Sequence, residues 1–342
     1  MIDKKQLLRA NALFADLSDD ELHDIVTVAN PFHCEPSSTL FNQGEYGREM
    51  FLIAEGELEI TVKLSGGSTI NVASLGPGQS VGELALFDDG ARSATAKARI
   101  ATSGLRLDAK IFDLVRMMRR PGYARLLKRL AAQATSELNR MNERIDPGRA
   151  ALAEQRYSAL PEAVFEEDPN AARSDAQSFD LDNLAMLPLF LDFNREDLAE
   201  LLTQCHRIDL PAGVRICRQG DEAHSCYVVV SGAIQIVHST EQEGVWYHNK
   251  IALLTPGRPL GHLALLGDTQ RSAHAITREK TRLLEIRRET FEAIIDQRSN
   301  VAFELLDALL HDLAFSMRVT NRRLMFHLSQ VQLAEEHEKT SV

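Results

Sequence analysis

The chain carries the same pattern twice. Leu13-Phe14 returns as Leu189-Phe190, Gln43-Gly44 as Gln219-Gly220 and Gly56 as Gly232, each 176 residues later. Past the stretches around Ser65 and Glu243 the spacing becomes 179. It then pairs Pro77-Gly78 with Pro256-Gly257, Gly82 with Gly261, Arg92 with Arg271 and Phe112 with Phe291. Three residues inserted in one hairpin loop account for the step, because loops absorb length at little cost. A repeat of roughly a hundred residues per copy is the signature of one fold used twice, whereas a single motif arises by chance.

Within each copy, local pattern gives the elements. The spacing of Leu13, Leu17, Leu22 and Ile25, with a cap signal at Ser18, predicts an opening helix. Glu57-Leu58-Glu59-Ile60-Thr61-Val62 and Ala233-Ile234-Gln235-Ile236 alternate with the period of a half-buried strand. Gly56 and Gly232 stand where a tight turn needs positive φ. Short strands at even spacing with turn signals suggest a small barrel or jelly roll. A helix follows each β region. Leu127, Leu130, Ala134, Leu138, Met141 and Ile145 recur at steps of three and four in the first. Leu306, Leu310, Leu313, Met317, Thr320, Leu324, Leu328 and Val331 do so in the second, from about Ser299 into the 330s. Such narrow stripes predict helix pairing, between the repeats or between two chains of a homodimer, unless each helix only covers its own barrel.

The fold class expected is α+β: two tandem β-roll (jelly-roll-like) domains, each with flanking helices and a long C-terminal helix. The boundaries are residues 1–145 for the first domain, 146–180 for an acidic linker, 181–330 for the divergent second domain and 331–342 for a polar tail. At 342 residues, 44% hydrophobic and 25% charged, the composition is that of a soluble globular chain. No apolar run reaches the length of a membrane span, and the start lacks a signal-peptide core. A net charge of −11 weighs against nucleic acid as a partner. The spacings of Cys34, Cys205, Cys217 and Cys226 do not repeat between the halves, which reads as unpaired thiols in a reducing cytoplasm. Cys217, His224 and Cys226 fit no common zinc spacing, so no metal site is expected.

The chemistry concentrates between Gly78 and Thr95. Gly82, Glu83, Leu84 and Ala85 can present consecutive backbone N–H groups to an anion. Arg92 can pair with a phosphate as a charge-assisted fork, and the Ser93 hydroxyl can add a donor. Glu83 repels phosphate but can accept a ribose hydroxyl proton. A ligand with one phosphate beside one free ribose hydroxyl satisfies all of these groups. The second copy, Gly261, His262, Leu263, Ala264, Arg271 and Ser272, keeps the arginine nine residues on but replaces the carboxylate with an imidazole.

The pattern Gly-Glu-Leu-Ala…Arg-Ser-Ala resembles the phosphate-binding cassette of the cyclic nucleotide-binding domain family. The resemblance covers nearly all of residues 10–145 and 182–325, and implies a β-roll flanked by helices with cAMP or cGMP as ligand. It implies binding roles for Gly82, Glu83, Leu84, Ala85, Arg92 and Ser93. Thr135 and Ser136 look like the Thr-Ser pair with which a branch of the family reaches the adenine, and Thr320 stands at a similar place in the second copy. His262 departs from the pattern. A weakened nucleotide site, a site for another anion and a degenerate repeat all remain for that copy, the weakened or degenerate site being favoured. Val81 and Leu260 also replace the aromatic that the family places before the glycine.

The leading expectation is a non-enzymatic cAMP sensor that acts through an unidentified protein partner, with cGMP as the alternative ligand. Only Gln330 to Val342 follow Ser329, and residues 1–12 carry no Arg-Arg-x-Ser/Ala sequence, so neither a DNA-binding nor a pseudosubstrate output is expected. A scaffold with vestigial cassettes is the bland alternative. Gly78-Gln79-Ser80-Val81-Gly82 also matches the nucleophile elbow G-x-S-x-G, but its surroundings read as β-roll and the repeat has Pro259 at the serine position.

Overall fold

The computed structural model describes residues 3–64, 67–86, 91–111, 121–144, 173–242, 245–266, 270–296 and 300–340. Ile145, Phe112 and linker residues 146–172 lie outside the described residues. Two compact units divide the chain: one takes residues up to 130 with those from 314 onward, the other residues 131–313.

The first unit opens with α1 (Lys4–Ala10) and α2 (Asp19–Val28). Ser18 caps α2 reciprocally. Its hydroxyl accepts from Glu21 N at 3.3 Å, while the Glu21 carboxylate accepts from Ser18 N at 2.8 Å. This corrects the expected helix, since a chain cannot be helical through its own N-cap. Leu13 and Leu17 therefore lie ahead of α2 in turns, buried all the same. Eight strands follow: β1 (Asn30–Cys34), β2 (Thr39–Phe41), β3 (Glu49–Glu55), β4 (Leu58–Lys63), β5 (Thr69–Leu75), β6 (Ser80–Val81), β7 (Thr95–Ala98) and β8 (Thr102–Asp108). They form two antiparallel sheets of order β1-β8-β3-β6 and β2-β7-β4-β5. Phe51, Ile53, Leu58, Ile60, Ala96 and Ala98 meet between the sheets, as the alternation in β4 predicts. Helix α3 (Pro121–Arg144) begins here, its Gly122 N–H donating to the buried Glu21 carboxylate at 2.8 Å.

The second unit repeats the plan. Helices α4 (Leu181–Ala185) and α5 (Arg195–Leu202) precede its roll. Its strands are β9 (Arg173–Asp175), β10 (His206–Leu210), β11 (Arg215–Cys217), β12 (Ser225–Ser231), β13 (Ile234–Gln242), β14 (Val245–Leu254), β15 (Pro259–Leu260), β16 (His274–Thr277) and β17 (Thr281–Arg287). The orders β15-β12-β17-β10 and β11-β16-β13-β14 match those of the first roll strand for strand. Helices α6 (His262–Leu266), α7 (Arg288–Asp296) and α8 (Asn300–Thr340) complete the chain.

Two expectations change. The three extra residues do not enlarge a loop. They lengthen the hairpin arms, β13 and β14 having nine and ten residues where β4 and β5 have six and seven. The added positions pair Thr240 with Tyr247 and Glu241 with Trp246 across the ladder, and β-formers there favour strand over loop. The end of the acidic linker is also ordered, because β9 adds to the edge of β10. Its Arg173 gives two 2.6 Å hydrogen bonds to Glu285, which is fully buried. A buried carboxylate requires such a partner. In the helical stripes, Leu127, Leu130, Ala134, Leu138 and Met141 on α3, and Leu306, Leu310, Leu313, Met317 and Leu324 on α8, are buried within a single chain.

Gly56 has φ 97°, and a Cβ there would lie 2.5 Å from Thr102 Oγ1. Gly44 has φ 84° but nothing within 4 Å. Gly44→Ala is therefore expected to cost about 1 kcal/mol from backbone strain alone. Gly56→Ala is expected to cost roughly 2–4 kcal/mol from strain and overlap together. Denaturant unfolding of the two variants checks the difference.

Candidate functional site

In the first roll the sheet delivers β6, then Gly82, then a four-residue 3-10 turn, Glu83–Leu86. Gly82 has φ 88°, and a Cβ there would strike the Arg92 guanidinium and come within 2.9 Å of the Glu49 carbonyl. Only glycine lets the turn close over that arginine. The turn also uses one of its own amides, Ala85 N–H donating to Gly82 O at 3.1 Å.

Arg92 is the centre of the site. Its side chain is 4% exposed, and its main chain is locked on both sides, N–H to Glu45 O at 2.8 Å and C=O from Gly44 N at 2.9 Å. The guanidinium donates to Glu49 Oε2 at 3.3 Å and to Gly82 O at 3.5 Å, and stacks over Phe41 at 4.3 Å. Burial pulls its pKa down from the usual arginine value, while Glu49, Glu45 and Glu83 pull it back. It stays a cation in a pocket of carboxylates. A cavity of about 340 Å³ opens beside it, lined also by Phe32, Phe41, Glu45, Tyr46, Glu49 and Arg106.

The Glu83 carboxylate accepts from the Ser80 hydroxyl. Ser80 therefore serves the cassette turn. The G-x-S-x-G match sits on a two-residue strand ahead of a single turn, without the long helix of a nucleophile elbow. Ser93 is exposed, ready to donate. The side chains of Leu84 and Ala264 lie outside the described residues.

The second roll reproduces the frame with different charges. Gly261 has φ 73°, and a Cβ there would strike Arg271 as at Gly82. Arg271, 7% exposed, donates to Ser225 O at 2.7 Å and Gly261 O at 3.5 Å, with Tyr227 at 5.7 Å. Ser225 stands at the position of Glu49, 176 residues on, so the carboxylate is gone. His262 is buried, and its Nε2 lies 3.7 Å from Asp312 Oδ2. That is too long for a hydrogen bond, and both ring nitrogens lack a hydrogen-bond partner. Burial, with Arg258 nearby, pushes the imidazole pKa down to about 3, so the ring is neutral. Asp312 pairs with Arg258 at 3.0 Å, but burial still pushes its carboxyl up to about 6. Leu263 and Ser272 are half-buried.

Thr135 and Ser136 are not presented together. Thr135 is 1% exposed with its hydroxyl unpartnered, whereas Ser136 faces out. Both fall in the unit of residues 131–313, with the second cassette, while Thr320 falls in the unit of the first. Sequence reading missed Glu49, Phe41, Phe51 and Asp312. The one signal for them was the repeat itself, which sets Phe51 against Tyr227.

These two frames match a known sequence family. Its model, described as the cyclic nucleotide-binding domain, fits residues 31–117 and 207–298, each span running from the first strand of one roll past its arginine. The chain belongs to the cyclic nucleotide-binding domain family. Among the similar members of that family, a cAMP-dependent protein kinase regulatory subunit from Blastocladiella emersonii is 23% identical over 285 residues, 83% of this chain and 57% of that protein. The cyclic AMP receptor protein of Thermus thermophilus is 35% identical over 120 residues, 34% of this chain and 53% of its own. The chain thus spans little more than half the length of these relatives. A solved regulatory domain of Toxoplasma gondii PKA, crystallised with cAMP, aligns over 86% of this chain and 92% of its own, at 18% identity and TM-score 0.32.

A pH test follows from Asp312. Its folded pKa is raised, so its contribution to stability is present below the unfolded value of 3.8 and is lost as pH rises through about 6. The stability of the native chain relative to Asp312→Asn is therefore expected to fall between pH 4 and 6 and to level off above. Denaturant unfolding of both proteins across that range checks the slope.

Proposed function

We propose that the first roll is a cyclic-nucleotide sensor, cAMP favoured over cGMP, and that its output passes to a protein partner rather than to chemistry. The observation that carries this reading is the buried Arg92, fixed under Gly82 with Glu83 on the same turn. A cyclic phosphate is a monoanion that can take the guanidinium over from Glu49, trading a long 3.3 Å pair for a charge-assisted contact. Glu83 then accepts the ribose 2′-hydroxyl, and Ser93 adds a donor to the phosphate. The names of the similar proteins, a cAMP-dependent kinase regulatory subunit and a cyclic AMP receptor, support the ligand class.

Ligand binding acts on the partner through the cassette turn. Replacing Glu49 as the counter-ion of Arg92 changes what holds the turn, and the elements packed on it respond. In the second roll the same role is weakened, because neutral, buried His262 stands where Glu83 reads the sugar.

Calorimetric titration with cAMP and cGMP tests the proposal. Removing a charged phosphate contact costs about 1.5–3 kcal/mol, so Arg92→Ala is expected to weaken cAMP binding roughly 10- to 150-fold. Glu83→Ala is expected to weaken it by about tenfold. Equal affinity of native chain and Arg92→Ala, or no heat with either nucleotide, would overturn it.

A further inference from the structure

Among the described residues the second arginine has no carboxylate counter-ion. Arg271 is 7% exposed, yet among the described residues it pairs with no carboxylate and rests on the carbonyls of Ser225 and Gly261, with the Tyr227 ring at 5.7 Å. Arg92, at the same place in the first roll, has Glu49. The substitution at that position, Glu49 to Ser225, is therefore the loss of a built-in competitor for any anion. A buried guanidinium held without a carboxylate is costly, and an oxyanion that reaches it removes that cost.

The sugar-reading group has meanwhile been taken out of use. Glu83 sits half-buried on its turn, whereas His262 is 6% exposed and packs towards Asp312, which Arg258 holds at 3.0 Å. Ser272, half-buried next to Arg271, keeps a hydroxyl donor. Among its described residues the second cassette thus retains a cation and a hydroxyl for an oxyanion and puts an imidazole, not a carboxylate, at the position of Glu83.

We infer that the second roll binds a phosphate group without reading the sugar, taking ribose and deoxyribose cyclic phosphates alike. The first roll discriminates between them through Glu83. The two copies thereby divide one recognition task, the first reading phosphate and hydroxyl, the second phosphate only. This rests on the reading of the first roll as a nucleotide site only for the contrast, since the behaviour of Arg271 is measured separately.

Two single-site chains separate the rolls: Arg271→Gln leaves the first, Arg92→Gln leaves the second. Each is titrated with cAMP, 2′-deoxy-cAMP and inorganic phosphate. The emission of Trp246, the single tryptophan and part of the second roll, serves as an additional readout. In the Arg271→Gln chain, 2′-deoxy-cAMP is expected to bind at least about tenfold more weakly than cAMP, because a site built for a hydroxyl rejects its absence. In the Arg92→Gln chain the two cyclic nucleotides are expected to agree within about threefold. Inorganic phosphate should compete with them, and all binding should vanish on adding Arg271→Gln. Circular dichroism checks folding, and Arg92→Met replaces any unfolded Arg92→Gln chain. A tenfold preference for the 2′-hydroxyl in the second roll overturns the inference. So does the absence of Arg271-dependent binding of any of the three probes. Failure confined to the Arg271→Gln chain instead strikes the first-roll reading.

Discussion

A buried guanidinium governs this architecture. Arg92 is drawn into the roll by main-chain bonds at both of its backbone groups and by the face of Phe41, and once there it must be neutralised. Glu49 supplies the charge, Gly82 the space and a carbonyl. Gly47 is constrained by the same pair, since a Cβ there would lie 3.0 Å from Glu49 Oε2 and 3.1 Å from the Arg92 terminal nitrogen. The cassette turn is thus built around a buried, paired cation, the group that the proposed phosphate binding would use.

Comparing the two copies shows how a fixed frame accepts different wiring. Strand orders coincide, and Gly82 and Gly261 perform the same steric task. The charges do not coincide. Arg106 lines the open cavity of the first roll, and 179 residues on stands Glu285, sealed and bonded to Ser225 and Arg173. An acid placed at a fully buried position demands a base, and β9 brings it. That demand is the physical reason the end of the linker folds onto the second roll while its composition reads as loop.

Much of this was legible in the sequence because it rests on local or periodic signals. The repeat gave two copies of one fold, Gly56 and Gly232 announced positive-φ turns, and the fixed offset from Glu83 to Arg92 located the cassette. Other features depend on residues that only tertiary pairing brings together. Glu49 is 43 residues from Arg92, and Asp312 is distant in sequence from His262, so no spacing rule connects them. Helix α2 starts later than its apolar spacing suggests, because buried Leu13 and Leu17 mimic a helical stripe without being helical. The hairpin extension looks like a loop in the sequence because length alone does not reveal whether extra residues pair. Thr135 and Ser136 adjoin in sequence, yet a helix turns them apart, one into the protein and one to solvent.

In the proposed sensor, Arg92 exchanges Glu49 for a cyclic phosphate while Glu83 takes the ribose hydroxyl. A crystal structure of the chain grown with cAMP tests it most directly. Nucleotide density is expected on the first roll, with a phosphate oxygen on the Arg92 guanidinium in place of Glu49 and the Glu83 carboxylate on the 2′-hydroxyl. A nucleotide bound away from Arg92, with the Arg92–Glu49 pair intact, would contradict it.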